Sequence, residues 1–355
     1  MPEITEQERI RRKVTMHMAD ALVSPAVAGT MYTVSAAAAA YSVKKIKLED
    51  LDSKVPAMGV MGAFVFAAQM INFTIPGTGS SGHLCGGMLL SAILGPCGAF
   101  LTMIAILAIQ CLLFADGGLL ALGCNVWNMA FYGCFIGGAL IWRAVAGKKM
   151  TRGRIMAASV IGSVVSLQMG AFSVTVETLM SGITELPFAV FAGMMQPIHL
   201  AIGLAEGVIT ASVLMFIHEA RPEALYGYSQ SGSKGAGRMS RKGLAAVFAA
   251  AALIIGSAVS LFASGNPDGL EWSIEKVAGT AELSASGGVH RMAEKVQEVT
   301  AALPDYAFKS SDSAAGTSFS GIVGGVAVLA ACFFVCMVIK KAGKGKKKKI
   351  SGSEV

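Results

Sequence analysis

Few side chains in this sequence could do chemistry, and two histidines stand apart from the rest. His17 directly follows Met16, just ahead of the first apolar run, and His83 follows the Gly- and Ser-rich stretch NFTIPGTGSSG at 72–82. Imidazole suits Ni, Co, Cu and Zn. If translation starts at Met16, its free amine, the amide nitrogen of His17 and the His17 Nδ1 form fused five- and six-membered chelate rings in one plane. A fourth nitrogen from His83 completes a square-planar set. That geometry suits Ni(II) or Cu(II), is reachable by low-spin Co(II), and disfavours zinc. Two histidines at helix ends also serve as polar caps, and that reading stands beside the metal one.

Polar side chains inside apolar runs are costly, so each is a functional candidate. They are Gln69, Asn72, Gln110, Asn125, Asn128, Gln168, Glu177, Gln196, His199 and Glu206, with Asp20 at the outer end of the first run. Taken singly, each also reads as helix–helix hydrogen bonding. His199, after Pro197, reads as a core histidine, His218 lies at a helix end, and His290 falls in a polar segment; none is assigned a ligand role. The seven cysteines lie mostly in apolar runs without a CxxC pair and read as small packing residues. The Gly-rich GSKGAG at 232–237 lacks the spacing of a phosphate loop. Glu177 and Glu206 are the only acids deep in the runs, too few for a paired-acid proton relay. No nucleophile–base pair stands out, so the expectation is a protein that is not an enzyme, with no cofactor, and dependent on partners for any uphill transport.

The elements that must position these groups follow from composition. Of 355 residues, 54% are hydrophobic and 14% charged, with a mean hydropathy of +0.61; soluble domains are about 25% charged. A soluble globular protein is excluded. A membrane helix needs about 20 apolar residues, and candidate spans fall near 20–43, 55–73, 83–95, 97–115, 120–142, 155–180, 188–218, 243–264 and 320–339. The third is short, either a brief crossing or a helix pair with the fourth.

The net charge of +7 reads as loop asymmetry, not nucleic-acid binding, because Lys and Arg cluster after the first, fifth, seventh and ninth spans. Cytoplasmic loops collect such residues. Nine crossings with a cytoplasmic C-terminus then place His17 and His83 together at the external face of a cell (inner) membrane. The expected organisation is an N-terminal extension at 1–15, a seven-helix metal-binding unit at 16–220 and a cytoplasmic linker at 221–242. A two-helix module follows at 243–341 with a water-facing segment at 265–319, then a basic tail at 342–355. The fold class is an all-α polytopic membrane bundle. The small-residue run SAAAAAYS at 35–42 would let another helix approach closely.

MHMADALVSP at 16–25, FVFAAQMINFTIPGTGSSGHLCGG at 64–87 and LLFADGGLLALGCNVWNMA at 112–130 resemble the CbiM/NikM family, the substrate-binding subunits of cobalt and nickel energy-coupling-factor (ECF) transporters. NPDGLEWSIEKV at 266–277 resembles the PDGLE module of the small accessory subunit (NikN/CbiN type), fused to the first in some members. The resemblance implies Ni(II) or Co(II) as the transported substrate, held through Met16, His17 and His83. It also implies a transmembrane coupling subunit (CbiQ/NikQ type) and a cytoplasmic ATPase (CbiO/NikO type) as partners, and an accessory module that aids metal loading. The 35–42 face would suit the coupling subunit. One departure is that fifteen residues precede Met16, whereas the family pattern has His second; the expected true start is Met16. A self-sufficient metal permease or channel is the alternative.

Overall fold

The computed structural model describes residues 17–46, 48–147, 150–228, 238–281, 283, 285, 287–309 and 313–351, with the side chains of 48–54 and 342–351 left out of that description. Met16 and the centre of the linker lie outside the described residues. The helices are α1 (Pro25–Lys45), α2 (Leu48–Gln69), α3 (Gly87–Leu94), α4 (Pro96–Phe114), α5 (Leu122–Val145), α6 (Arg152–Ser181) and α7 (Phe188–Ala220). After the linker come α8 (Arg241–Ser257), α9 (Gly269–Ala278), α10 (Gly288–Thr300) and α11 (Ala314–Ser351). One small antiparallel hairpin, β1 (Phe73–Ile75) and β2 (Ser80–Gly82), interrupts the helices, with Thr74 opposite Ser81.

Local signals set the helix starts. Ser24, Thr151 and Ser240 accept the N–H groups of Val27, Arg154 and Gly243, which the first turns of α1, α6 and α8 leave without helical partners. Among the described residues α4 to α7 and the Ala314–Lys341 part of α11 are long and apolar enough to cross a membrane, and Val55–Gln69 of α2 is a shorter apolar helix. The protein is a multi-pass helical membrane protein.

Within the third expected span, 83–95, only Gly87–Leu94 is helical, and it is followed at once by α4, with which it packs. At eight residues, α3 covers about 12 Å of a hydrocarbon core roughly 30 Å thick. The non-helical chain from Ser80 to Gly86 is mostly buried in the bundle, and α3 follows it before the chain turns at Gly95 and Pro96 into α4. Extended backbone at that depth must find its hydrogen bonds inside the protein. Glu206, in the middle of α7, accepts the N–H groups of Cys85 (2.9 Å) and Gly86 (3.0 Å). Gln69 Nε2 donates to the Cys85 carbonyl (2.8 Å), and Gln110 Nε2 donates to Gln69 Oε1 (3.0 Å). Gly86, at φ +81°, starts the helix, and a side chain there would collide with Val65.

The helix ends at the other end of the bundle carry the basic residues. The Tyr226 N–H donates to the Ala92 carbonyl, its own carbonyl accepts from Trp142 Nε1, and Arg152 pairs with Glu219 at 2.6 Å. The ends of α5 and α7 and the start of α6 thus meet there.

The two expected modules share one core. Met58 and Phe66 of α2, Phe100 and Phe114 of α4, Phe248 of α8, and Val328 and Cys332 of α11 belong to a single buried cluster. The α8–α11 crossing is tight because any side chain on Gly321 would strike the Gly256 carbonyl. Small residues permit such approach in lipid. Overpacking of this kind costs about 1–3 kcal/mol, so Gly321→Leu should lower the thermal midpoint in detergent. Gly29→Leu on α1, with open space around it, should leave the midpoint in place.

Candidate metal centre

Two non-helical stretches bring the histidines together at the end of the bundle opposite the basic residues. The one after His17 is held by Asn125, whose Oδ1 accepts the Met18 N–H (3.0 Å) and whose Nδ2 donates to the Met18 carbonyl (3.1 Å). The side-chain amide thus stands in for a neighbouring strand. The Gly118 N–H adds a third bond to the Met18 carbonyl (3.0 Å), and Asp20 Oδ1 accepts the Ala121 N–H (3.0 Å). The turn between α4 and α5 wraps closely round His17. Gly117, at φ +83°, has no room for a side chain, which would stand 2.8 Å from the His17 Cβ.

His17 and His83 are 3% and 9% exposed, and their ring centroids lie 5.5 Å apart at an interplanar angle of 73°. Each faces a carboxylate. His17 Nδ1 is 2.9 Å from Asp116 Oδ1, and His83 Nδ1 is 3.2 Å from Asp268 Oδ1. The first contact is a buried ion-pair contact, and the other ring nitrogen of His17, Nε2, is buried without a hydrogen-bond partner. Buried polar atoms are seldom left so, and an imidazole in that state is suited to receive a cation. Asp116 Oδ2 accepts the Tyr306 hydroxyl at 2.6 Å. Burial pushes the Asp116 carboxyl up, but the His17 ring beside it, the Tyr306 hydroxyl and His83 outweigh burial and hold it below the usual carboxylate range.

Part of the segment at 265–319 packs over this centre. Ser81 forms a parallel bridge with Asp268, its N–H donates to the Pro267 carbonyl (2.8 Å), and Trp272 Nε1 donates to the Thr78 carbonyl (3.1 Å). From α10, Gln297 Nε2 donates to the Gly117 carbonyl (2.8 Å), and His290 Nε2 lies 3.0 Å from the Val23 carbonyl. Asp268 is 3% exposed and Tyr306 8%.

A cavity of about 90 Å³ adjoins the pair, lined by His17, His83, Asn125, Asn128, His199 and Asp268 among others. Among the described residues no three His, Cys, Asp or Glu side chains gather as a metal-holding group. The described part of the centre therefore offers two imidazoles, the His17 amide and two acids behind them. A carboxylate placed as Asp268 is, on one ring nitrogen of His83, orients a ligating histidine through its other nitrogen and raises its basicity.

Of the other flagged residues, Gln69, Asn125 and Glu206 hold backbone and Gln110 holds Gln69, while Gln168 with Gln196 and Asn128 with Glu177 join helices. His199 lines the cavity. Sequence reading missed Asp116, Asp268 and Tyr306. Asp116 had one signal, an acid and two glycines directly after an apolar run; the others lie far along the chain from the histidines they support.

Comparison with known proteins places these features in one family. Residues 17–224 match CbiM, the cobalt uptake substrate-specific transmembrane region, and residues 242–341 match the PDGLE domain. A chain of Archaeoglobus fulgidus provisionally named fused nickel transport protein NikMN is 33% identical over 90% of this chain and 97% of its own length. The fused nickel transport protein NikMN of Rhodobacter capsulatus is 28% identical over 82% of this chain and 88% of its own. A crystal structure of a truncated transition metal transporter aligns with a TM-score of 0.51 and 31% identity, over 57% of this chain and 99% of that one. With both matches spanning the helices and the histidine pair just described, the chain belongs to the CbiM family of metal-uptake membrane proteins and carries a fused PDGLE domain.

Proposed function

We propose that this chain is the substrate-specific subunit of an ATP-driven ECF importer that captures Ni(II) or Co(II) at the end of the bundle bearing His17 and His83. The observation that carries this reading is the buried His17–His83 pair, with a carboxylate at each ring. Met16 supplies its amine and His17 its amide and Nδ1, and the ion displaces the Asp116 contact. Asp116 and Asp268 then remain as countercharge. A planar nitrogen set accepts both metals, and the relatives carry names for each. This reading has the mature chain begin at Met16; the family match likewise begins beside it, at His17.

The capture face is extracytoplasmic, and the ends bearing Lys45, Arg143 and Arg221 face the cytoplasm, as the distribution of basic residues favours. There a coupling subunit of the CbiQ/NikQ type and an ATPase of the CbiO/NikO type drive release inward. A self-sufficient permease is disfavoured because Glu206 and Gln69, which would belong to a polar path, are engaged by backbone.

Native mass spectrometry of the detergent-purified protein tests the site directly. The expected species starts at Met16 and carries one nickel or cobalt; a chain starting at Met1 without metal overturns the amine ligand. His83→Ala should weaken metal retention by more than the roughly 10–100-fold that loss of an outer partner costs, measured on variant protein that still elutes as a single folded species. Stoichiometric metal in that variant counts against the site. In sealed vesicles the chain alone should not accumulate ⁶³Ni, and adding the coupling subunit, ATPase and ATP should start uptake; accumulation by the chain alone would favour the permease.

A further inference from the structure

The cavity beside the His17–His83 pair reaches a third imidazole that capture leaves unused. His199 on α7 lines it together with His83 and Asp268, and is only partly buried where the other two histidines are buried. Its Nδ1 lies 2.7 Å from the Met195 carbonyl oxygen. A carbonyl only accepts, so Nδ1 carries the proton and Nε2 keeps its lone pair. A backbone bond at one ring nitrogen is the usual device for presenting the other to a metal. Gly269 stands against the same ring, since an atom added there would meet His199 Cε1 at 3.2 Å. The adjacent residue, Asp268, is 3.2 Å from His83 Nδ1. Two adjacent residues of the PDGLE domain thus adjoin the two imidazoles, Asp268 at His83 and Gly269 at His199, and Asp268 and His199 line one cavity.

We infer that His199 and Asp268 form a loading position through which the divalent ion passes before it reaches His17 and His83. The inference rests on the capture reading above. The hand-over is ligand exchange: His199 Nε2 releases the ion as a nitrogen of His83 takes it, and Asp268 supplies countercharge on both sides. No electron is transferred. One imidazole, one carboxylate and water hold the ion more weakly than a planar nitrogen set, and a position on a path has to let go. Met129 and Met195 line the same cavity.

His199→Asn keeps a donor for the Met195 carbonyl and removes the Nε2 lone pair. In the purified full chain it should slow Ni(II) association at least tenfold while the final metal stoichiometry stays at the wild-type value, and His199→Cys, which restores a ligand, should recover the rate. Association at the wild-type rate in His199→Asn would overturn the loading position, as would loss of stoichiometric metal, which would put His199 in the capture site or in folding. A second measurement does not depend on rates. His83→Ala protein should still bind Co(II) weakly, with an imidazole contribution to its X-ray absorption that falls on adding His199→Asn; no change on that addition would also overturn it. Wild-type protein that retains neither nickel nor cobalt would instead defeat the capture reading.

Discussion

The protein depends on satisfying extended backbone at a depth where no water can do so. Two stretches leave helical geometry inside the bundle, one after His17 and one from Ser80 to Gly86. Every unpaired N–H or C=O in such surroundings costs several kcal/mol. Glu206 answers two N–H groups at once, the Gln110–Gln69 relay answers the Cys85 carbonyl, and Asn125 pairs with both polar groups of Met18. These side chains fix the backbone, and the backbone fixes the imidazoles. The position of the centre is a consequence of hydrogen bonding before it is one of metal chemistry.

The same constraint explains what the sequence disclosed. Helix positions were legible because run length, caps and basic flanks are local signals, and α4 to α7 lie within a few residues of the expected spans. The third span was not, because its outer half is extended chain whose partners come from α2, α4 and α7. Gln69, Gln110 and Glu206 were each ambiguous alone; their meaning lies in a shared target that appears only when three helices meet. The meeting of His17 and His83 was legible from the distribution of basic residues. Their acids were not, since Asp268 is 185 residues from His83 and Tyr306 is 190 from Asp116.

The PDGLE domain is joined to the CbiM region at two levels. Inside the bundle α8 and α11 lie in the core of α2 and α4. At the site end Asp268 and Trp272 contact the hairpin and stretch that carry His83, and Gln297 and Tyr306 contact the turn between α4 and α5. Electrostatic support of the histidine pair is divided accordingly: His17 faces an acid of its own region, and His83 faces one from the fused domain.

That 185-residue separation has a temporal side. Synthesis runs at roughly 5–20 residues per second, so His83 leaves the ribosome roughly ten to forty seconds before Asp268 exists to meet it. During that interval the extended chain can already settle on Glu206, 121 residues downstream of Cys85, while Ser81 still lacks the strand-like partner at 266–268. The centre is therefore assembled in stages during biogenesis, and its last carboxylate arrives only after the seven helices of the CbiM region have been made.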